Sequence, residues 1–468
     1  MAPPQEKHFV GEGACETFAQ SIMKYVKKSG DMSVSMTART AAEKGALWFK
    51  PHFGSAVRRT DMEKLFARSV DDAEKLVDLT EDDHRLFERV EAACDELVLP
   101  EFERYVERRF NEKIPEIVKK HRLMGIPIAK MYGGEGSRPL VHALALERFG
   151  QLGLGVITYV DVHQALGSLT VQEWGNEEQK QRYLTRAATG DVVFAYALTE
   201  PEAGSDPSAL KTTYKKDGSS YYVTGSKYLI SNGSVANKLI VFGLPEGQQR
   251  GVTAFLVDKD EPGFSVEMRM EEKMGLFTSD TSLLTLDNVK VPKEDVLGEE
   301  GKGLSVAYAA LLNGRMGIAS GCLGVMEDCI NQVRERVTYR TQFGKPIGKH
   351  QLIQRHIATM VANLESSRWL VYQVALKKEE YDSNRGNLEM RTEVDRASAV
   401  AKYVSSRAAY NTADAAVQCF GGFGYSILAP VTKHLLDTRV ARIYEGTDEI
   451  MELKIASTVL GREFEAYK

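Results

Sequence analysis

The sequence predicts an α+β chain in which a small antiparallel β domain stands between two helical ones. Three observations carry that expectation. Residues 80–193 show apolar side chains at helical spacing. Residues 194–297 break into short β-branched and aromatic runs punctuated by turns, and residues 298–468 return to long helical patterns.

Residues 1–79 form an N-terminal extension whose organisation is the least legible. "SIMKYVKK" and "DMEKLFARSVDDAEKLVDL" have amphipathic helical spacing, and they fit a docked arm and a loosely attached extension equally well. A clearer helix opens at Thr80, with Asp83 at capping-box distance, and continues through Phe87, Val90, Cys94 and Leu97. Pro100 is expected to end it. "EKIPEIVKKHRLMG", "VHALALERFGQLG" and "NEEQKQRYLTRAATG" supply further helices. The strands are expected in "SSYYVTGSKYLIS", "KLIVFGL", "GVTAFLVDKD", "FSVEMRM" and "TSLLTLDNVKVP". Beyond them, "EVDRASAVAKYVSSRAAYNTADAAVQ" carries Ala and Ser on many faces, as close helix packing requires.

Composition narrows the function. The chain has 468 residues, 43% of them hydrophobic, ample for a large core. Its 60 basic and 65 acidic side chains leave a net charge of −5, with no general attraction to nucleic acid. No apolar run approaches the ~18 residues of a membrane span. Cys15, Cys94, Cys322, Cys329 and Cys419 form no CxxC pair, so neither a metal site nor a disulfide framework is indicated. "MAPPQEKHFVGEGACE" has no hydrophobic signal core, and its acids do not suit a transit peptide. The expected location is the cytoplasm for a bacterial chain, with the mitochondrial matrix the alternative for a eukaryotic one. The GxxxxGK[ST], strand–GxGxxG–helix and GxSxG patterns are absent.

Five stretches invite chemistry, and each has a bland reading. "FAYALTEPEAGSD" passes from an apolar strand to small and hydroxyl residues that let a backbone approach a ligand, or it is an ordinary strand exit. "GSKYLISNG" offers Ser231 and Asn232, or a hairpin turn at Asn232-Gly233. "YRTQFGKPIGKHQ" is a basic, glycine-containing loop suited to phosphate, or a solvated helix end. "QCFGGFGY" has three glycines where a helix C-cap needs one. In "ARIYEGTDEI", Thr447 suits a helix N-cap with Asp448 and Glu449 in the first turn. That leaves Tyr444, Glu445 and Gly446 without a local reason.

Together with "LDNVKVPKEDVLGEEGKG", these stretches resemble the acyl-CoA dehydrogenase family of flavoproteins, in that family's order and spacing from about residue 80 to 465. The resemblance implies an N-terminal helical domain, a middle antiparallel β domain and a C-terminal four-helix domain. It also implies an FAD enzyme that desaturates an acyl-CoA thioester between its α and β carbons. Glu445 matches the family's base, which removes the α proton while the β hydrogen leaves as hydride to flavin N5. Gly446 would give room near the substrate, the Glu445 amide would polarise the thioester oxygen, and Ser205 and Tyr444 would border the acyl group. Tyr196, Leu198, Thr199, Gly204, Ser205, Leu229, Ile230 and Ser231 match FAD contacts from the β domain, and Thr447 and Glu449 match two more. Arg340, Gln342, Phe343, Gln418, Gly421 and Gly422 match positions that bind the FAD of a neighbouring subunit, so a homodimer or homotetramer is expected. Electron-transferring flavoprotein is the expected acceptor.

Some family members carry the base one residue before a conserved arginine. Here that residue is Gly314, before Arg315, which strengthens the match of Glu445 to the base; the resemblance implies that Arg315 orders the site, its bland alternative being a helix-surface salt bridge. Leu229 stands where many relatives place tryptophan, and strand alternation sends the neighbouring Tyr228 to the opposite face. "LLNGRMGIA" resembles the very-long-chain branch, although the sequence stops without that branch's extra domain. Ile157 and Asp161 stand where long-chain members favour glycine, which suits a shorter pocket. The combined expectation is a medium- or long-chain straight acyl-CoA in fatty acid β-oxidation. An acyl-CoA oxidase, a flavin monooxygenase of the same fold and an assembly protein on a dehydrogenase frame are the competing readings.

Overall fold

The computed structural model describes residues 69–464. "SIMKYVKK" and the first part of "DMEKLFARSVDDAEKLVDL" lie outside these residues; the end of the latter is helical over 69–74. Helix α1 (Glu81–Glu107) starts with the expected capping box, Thr80 and Asp83 each bonding the other's backbone amide. It does not stop at Pro100. The helix continues to Arg108, whose left-handed backbone closes it. Contacts beyond the proline explain why. Glu101 is buried, accepting from Asn111 Nδ2 at 2.8 Å and Thr278 Oγ1 at 2.6 Å, and Tyr105 stacks on Phe277. Tertiary contacts thus outweigh the lost ladder bond.

Helices α2 (Lys113–Lys120), α3 (Pro139–Gly150) and α4 (Leu154–Asp161) follow. A π-helical stretch, Val162–Ser168, then joins α4 to α5 (Leu169–Trp174), and α6 (Glu177–Thr189) completes the first helical layer. Eight strands come next: β1 (Phe194–Ala197), β2 (Thr213–Asp217), β3 (Ser220–Ser231), β4 (Lys238–Pro245), β5 (Thr253–Asp258), β6 (Phe264–Arg269), β7 (Thr281–Pro292) and β8 (Val296–Leu297). Their order is β6-β7-β3-β2-β4-β5-β8, with β1 also on β4. Most pairs are antiparallel, but β1–β4 and β2–β4 are parallel. The Asn232-Gly233 turn therefore does not close a hairpin: β2 lies between β3 and β4. Asn232 instead takes φ +60° and donates to the Tyr159 carbonyl at 3.0 Å, anchoring the end of β3 to α4.

The second helical layer is built on α7 (Gly303–Tyr339), α8 (Gln351–Ser383) and α9 (Leu388–Phe420). Two short helices, α10 (Pro430–Ala441) and α11 (Asp448–Leu460), take the place of a fourth long one. Positive φ at Glu445 (+55°) and Gly446 (+100°) breaks the helical path between them. Small residues set the approach of α4 and α3 to α7. A Cβ at Gly317 would strike Asp161, one at Gly321 would press on Ile157, and one at Gly324 would strike the α3 backbone. A buried polar knot also joins the helical layers, with Arg368 Nη2 donating to Glu147 Oε1 at 2.9 Å and also to Glu327.

Candidate active site

The break between α10 and α11 carries Glu445 and is held from three sides. Arg315, buried on α7, donates through Nε to the Glu445 carbonyl at 3.3 Å and pairs with Asp395 at 3.1 Å. Lys402, buried on α9, donates through Nζ to the Gly446 carbonyl at 2.6 Å. Arg442 pairs with Asp448 at 2.7 Å across the loop. Thr447 accepts from the Ile450 amide at 3.2 Å, so it is the cap of α11 as well. These bonds over-determine a conformation that a non-glycine residue at φ +55° would otherwise resist.

The Glu445 carboxylate is directed at α7. Only glycine fits opposite it: a Cβ at Gly314 would lie 2.6 Å from its Cδ. Its Oε2 is inaccessible and has no hydrogen-bond partner among the described residues. Burial pushes the carboxyl up to about 7, against the charges of Lys402 and Arg315, which favour ionisation. Lys402 is itself pushed down to about 8 by burial. Tyr444 presents an inaccessible, unpartnered hydroxyl beside this centre. The result is a half-buried carboxyl, inaccessible at Oε2 and suited to exchange a proton near neutrality.

The β-domain positions come together at the ends of β1 and β3. The Tyr228 amide donates to the Thr199 carbonyl at 2.9 Å, which sets Thr199 beside the Leu229–Ser231 segment. Behind it, buried Lys227 pairs with Glu200 at 2.6 Å and donates to the Phe242 carbonyl at 2.7 Å. Glu200 in turn accepts from the Thr212 amide at 3.1 Å, so one ion pair shapes the whole "TEPEAGSD" loop. Gly204 and Ser205 are exposed on that loop, and a Cβ at Gly204 would meet open space. Tyr196 and Leu198 face inward, and the Tyr196 hydroxyl bonds the Ala307 carbonyl of α7 at 3.2 Å.

The alternation expected along β3 fails at its end. A register shift between Lys227 and Ile230, with φ +58° at Leu229, leaves Lys227 and Ile230 buried and Leu229 48% exposed. Leu229 thus stands on the open side of the bulge, and Tyr228 is half-buried.

A second group of expected residues gathers elsewhere. Arg340, Gln342 and Phe343 occupy a small hairpin of β9 (Thr341–Gln342) and β10 (Lys345–Pro346). Arg336, at the root of that hairpin, donates to the Phe420 carbonyl at 2.9 Å, which brings it beside Gly421. Gln418, Gly421 and Gly422 are exposed there, and nothing lies within 4 Å of a Cβ built on either glycine. Phe343 is 94% exposed. Glu449 is exposed on the first turn of α11. Sequence reasoning passed over Lys402, Glu200 and Lys227. Lys402 and Lys227 are each a lone charge in an apolar or small-residue run, whereas Glu200 shares its run with Glu202.

Known proteins share the succession of three domains. Residues 80–191, 195–289 and 301–460 match the N-terminal, middle and C-terminal domains of acyl-CoA dehydrogenase. An acyl-CoA dehydrogenase of Bacillus subtilis is 40% identical over 344 residues, 73% of this chain and 88% of that protein. The chain belongs to the acyl-CoA dehydrogenase family. It is accordingly an oxidoreductase acting on CH–CH bonds, and FAD is the cofactor that goes with the family. The butyryl-CoA dehydrogenase of Megasphaera elsdenii superposes with a TM-score of 0.77 at 33% identity, over 82% of this chain and 100% of that one. An acyl-CoA dehydrogenase from Bacillus anthracis complexed with FAD gives a TM-score of 0.76 at 32% identity, over 82% and 67%. The residues here fit such a cofactor: an open glycine-bearing loop, hydroxyls at Thr199 and Ser231, and an exposed Leu229 lie where β1 and β3 end. No helix among the described residues is long and apolar enough to cross a membrane.

Proposed function

We propose that the chain desaturates a short straight-chain acyl-CoA, with Glu445 taking the α proton. The observation that carries this reading is the half-buried Glu445 side chain, whose Oε2 is inaccessible and without a partner among the described residues, fixed at its backbone by Arg315 and Lys402 and held near neutrality. Bound FAD supplies the hydride acceptor. Glu445 receives the proton, and the glycine opposite, Gly314, gives its carboxylate the room to stay directed at the substrate. The Glu445 amide donates to the thioester oxygen as enolate charge develops. Lys402 and Arg315 bias the carboxylate toward its ionised form, so that it reaches the substrate ready to accept. Thr199, Ser205, Ile230 and Ser231 hold the flavin from the β domain, and Thr447 and Glu449 extend that surface.

The chain length proposed here is shorter than the medium or long chain expected from sequence. Two observations support the revision: Ile157 and Asp161 fill the face of α4 against α7, and a well-superposing relative is a butyryl-CoA dehydrogenase. The exposed Arg340–Phe343 hairpin and the Gly421–Gly422 turn support a homo-oligomer in which they reach a neighbour's flavin. Electron-transferring flavoprotein is the proposed acceptor.

An anaerobic visible spectrum during titration with acyl-CoAs from butyryl to palmitoyl tests the reading. Prompt bleaching by butyryl- or hexanoyl-CoA is expected. Bound flavin that no saturated acyl-CoA bleaches would overturn it.

A further inference from the structure

Asp161 ends α4, immediately before the π-helical stretch, and is 1% exposed. Neither carboxyl oxygen has a hydrogen-bond partner among the described residues. Burial, and after it the Glu445 charge, push the group well above the usual carboxylate range. Leaving a buried polar group unmatched is unfavourable. A partner arriving with the substrate would remove that cost.

The glycine stripe on α7 fixes where Asp161 points. A Cβ at Gly314 would strike Glu445, and a Cβ at Gly317 would strike the Asp161 carboxyl. Positions three residues apart on a helix are about 5–6 Å apart. The two carboxyls therefore lie along one face of α7, about a helical turn from each other. The Tyr444 hydroxyl, without a partner among the described residues, is near both carboxyls. If Glu445 meets the α carbon, Asp161 meets the chain a few bonds further on.

We propose that Asp161 is a specificity-determining residue whose carboxyl hydrogen-bonds an oxygen atom within a short acyl chain, at position 5 counting the thioester carbon as 1. The proposal rests on the desaturase reading, because Glu445 locates the α carbon. A protonated carboxyl offers one O–H donor, and an ether, hydroxyl or carbonyl oxygen accepts it. A wholly aliphatic chain leaves the carboxyl unmatched, and sites built for a hydrogen bond discriminate strongly against analogues that lack it.

The experiment compares 4-methoxybutyryl-CoA with hexanoyl-CoA, two chains of equal length differing by oxygen for methylene at position 5. Anaerobic flavin reduction by the FAD-loaded enzyme is followed for wild type, Asp161→Asn and Asp161→Leu. The wild type is expected to favour the ether by roughly tenfold or more. Asp161→Asn should keep that preference, and Asp161→Leu should reverse it. Equal use of the two thioesters by the wild type, or a preference for hexanoyl-CoA, overturns the proposal even if neither variant folds. A ratio left unchanged in Asp161→Leu overturns it too. Butyryl-CoA serves as the separate arm. If it bleaches the flavin without any ether preference, the oxygen subsite fails and the desaturase reading stands; if no thioester bleaches it, both fail.

Discussion

The Glu445 loop and the surface around Arg340 and Gly421 both belong to the C-terminal helices, yet they differ in how far one chain completes them. The loop is closed. Its two carbonyls are held by buried cations from α7 and α9, and its carboxylate lies in a trough that only glycine permits. The other surface is open, with Phe343 94% exposed, Tyr425 91% exposed and two glycines facing free space. In the proposed function, chemistry that must exclude water is assembled within the protomer. Cofactor grip, in the proposed function, is shared with a second copy.

The sharpest way to break this contrast is Glu445→Gln. The variant should keep FAD and lose about 10²–10⁴-fold in the rate of flavin reduction by butyryl-CoA, the range of a general base. Normal reduction would leave the closed loop without its proposed role. Gly314→Ala comes next. A methyl group there displaces the carboxylate without removing it, and a misplacement of that order costs about 10²-fold in the same rate. Arg340→Ala tests the open surface instead. It should weaken FAD retention on the order of tenfold, read by flavin content after dialysis, while the protein that remains loaded is reduced at the wild-type rate. An equal fall in reduction rate would mean that the two regions are not separable.

The smallest effect expected concerns pH. The base acts when ionised, and its carboxyl is held at about 7, so reduction should level off above that pH and fall about tenfold per unit below it. Lys402 favours the ionised form; Lys402→Met should therefore move the fall to higher pH by about one unit. An unshifted profile would reduce Lys402 to a structural tie on Gly446.

The order helices, strands, helices was legible because periodicity changes where the elements change. The capping box at Thr80 and Asp83 was also legible, being local chemistry. Pro100 misled because the contacts of Glu101 and Tyr105, distant in sequence, carry α1 past it. Strand alternation gave no sign of the bulge at Leu229, which is set by pairing with β7 and which a single strand does not reveal. Within the candidate site, the short motifs brought Glu445 and the residues at the ends of β1 and β3 into view. Lys402 and the Glu200–Lys227 pair stayed hidden, since a charge in the sequence gives no hint of the distant group it meets.

The central claim is that Glu445 removes the α proton, and the fate of that hydrogen tests it most directly. Butyryl-CoA deuterated at the α carbon is incubated anaerobically in ordinary water with wild type and with Glu445→Gln, and deuterium lost from the thioester pool is followed by mass spectrometry. The account predicts loss to solvent with the wild type, in step with flavin bleaching, and retention with the variant. Wash-out by Glu445→Gln at the wild-type rate would contradict it and place the base on another residue.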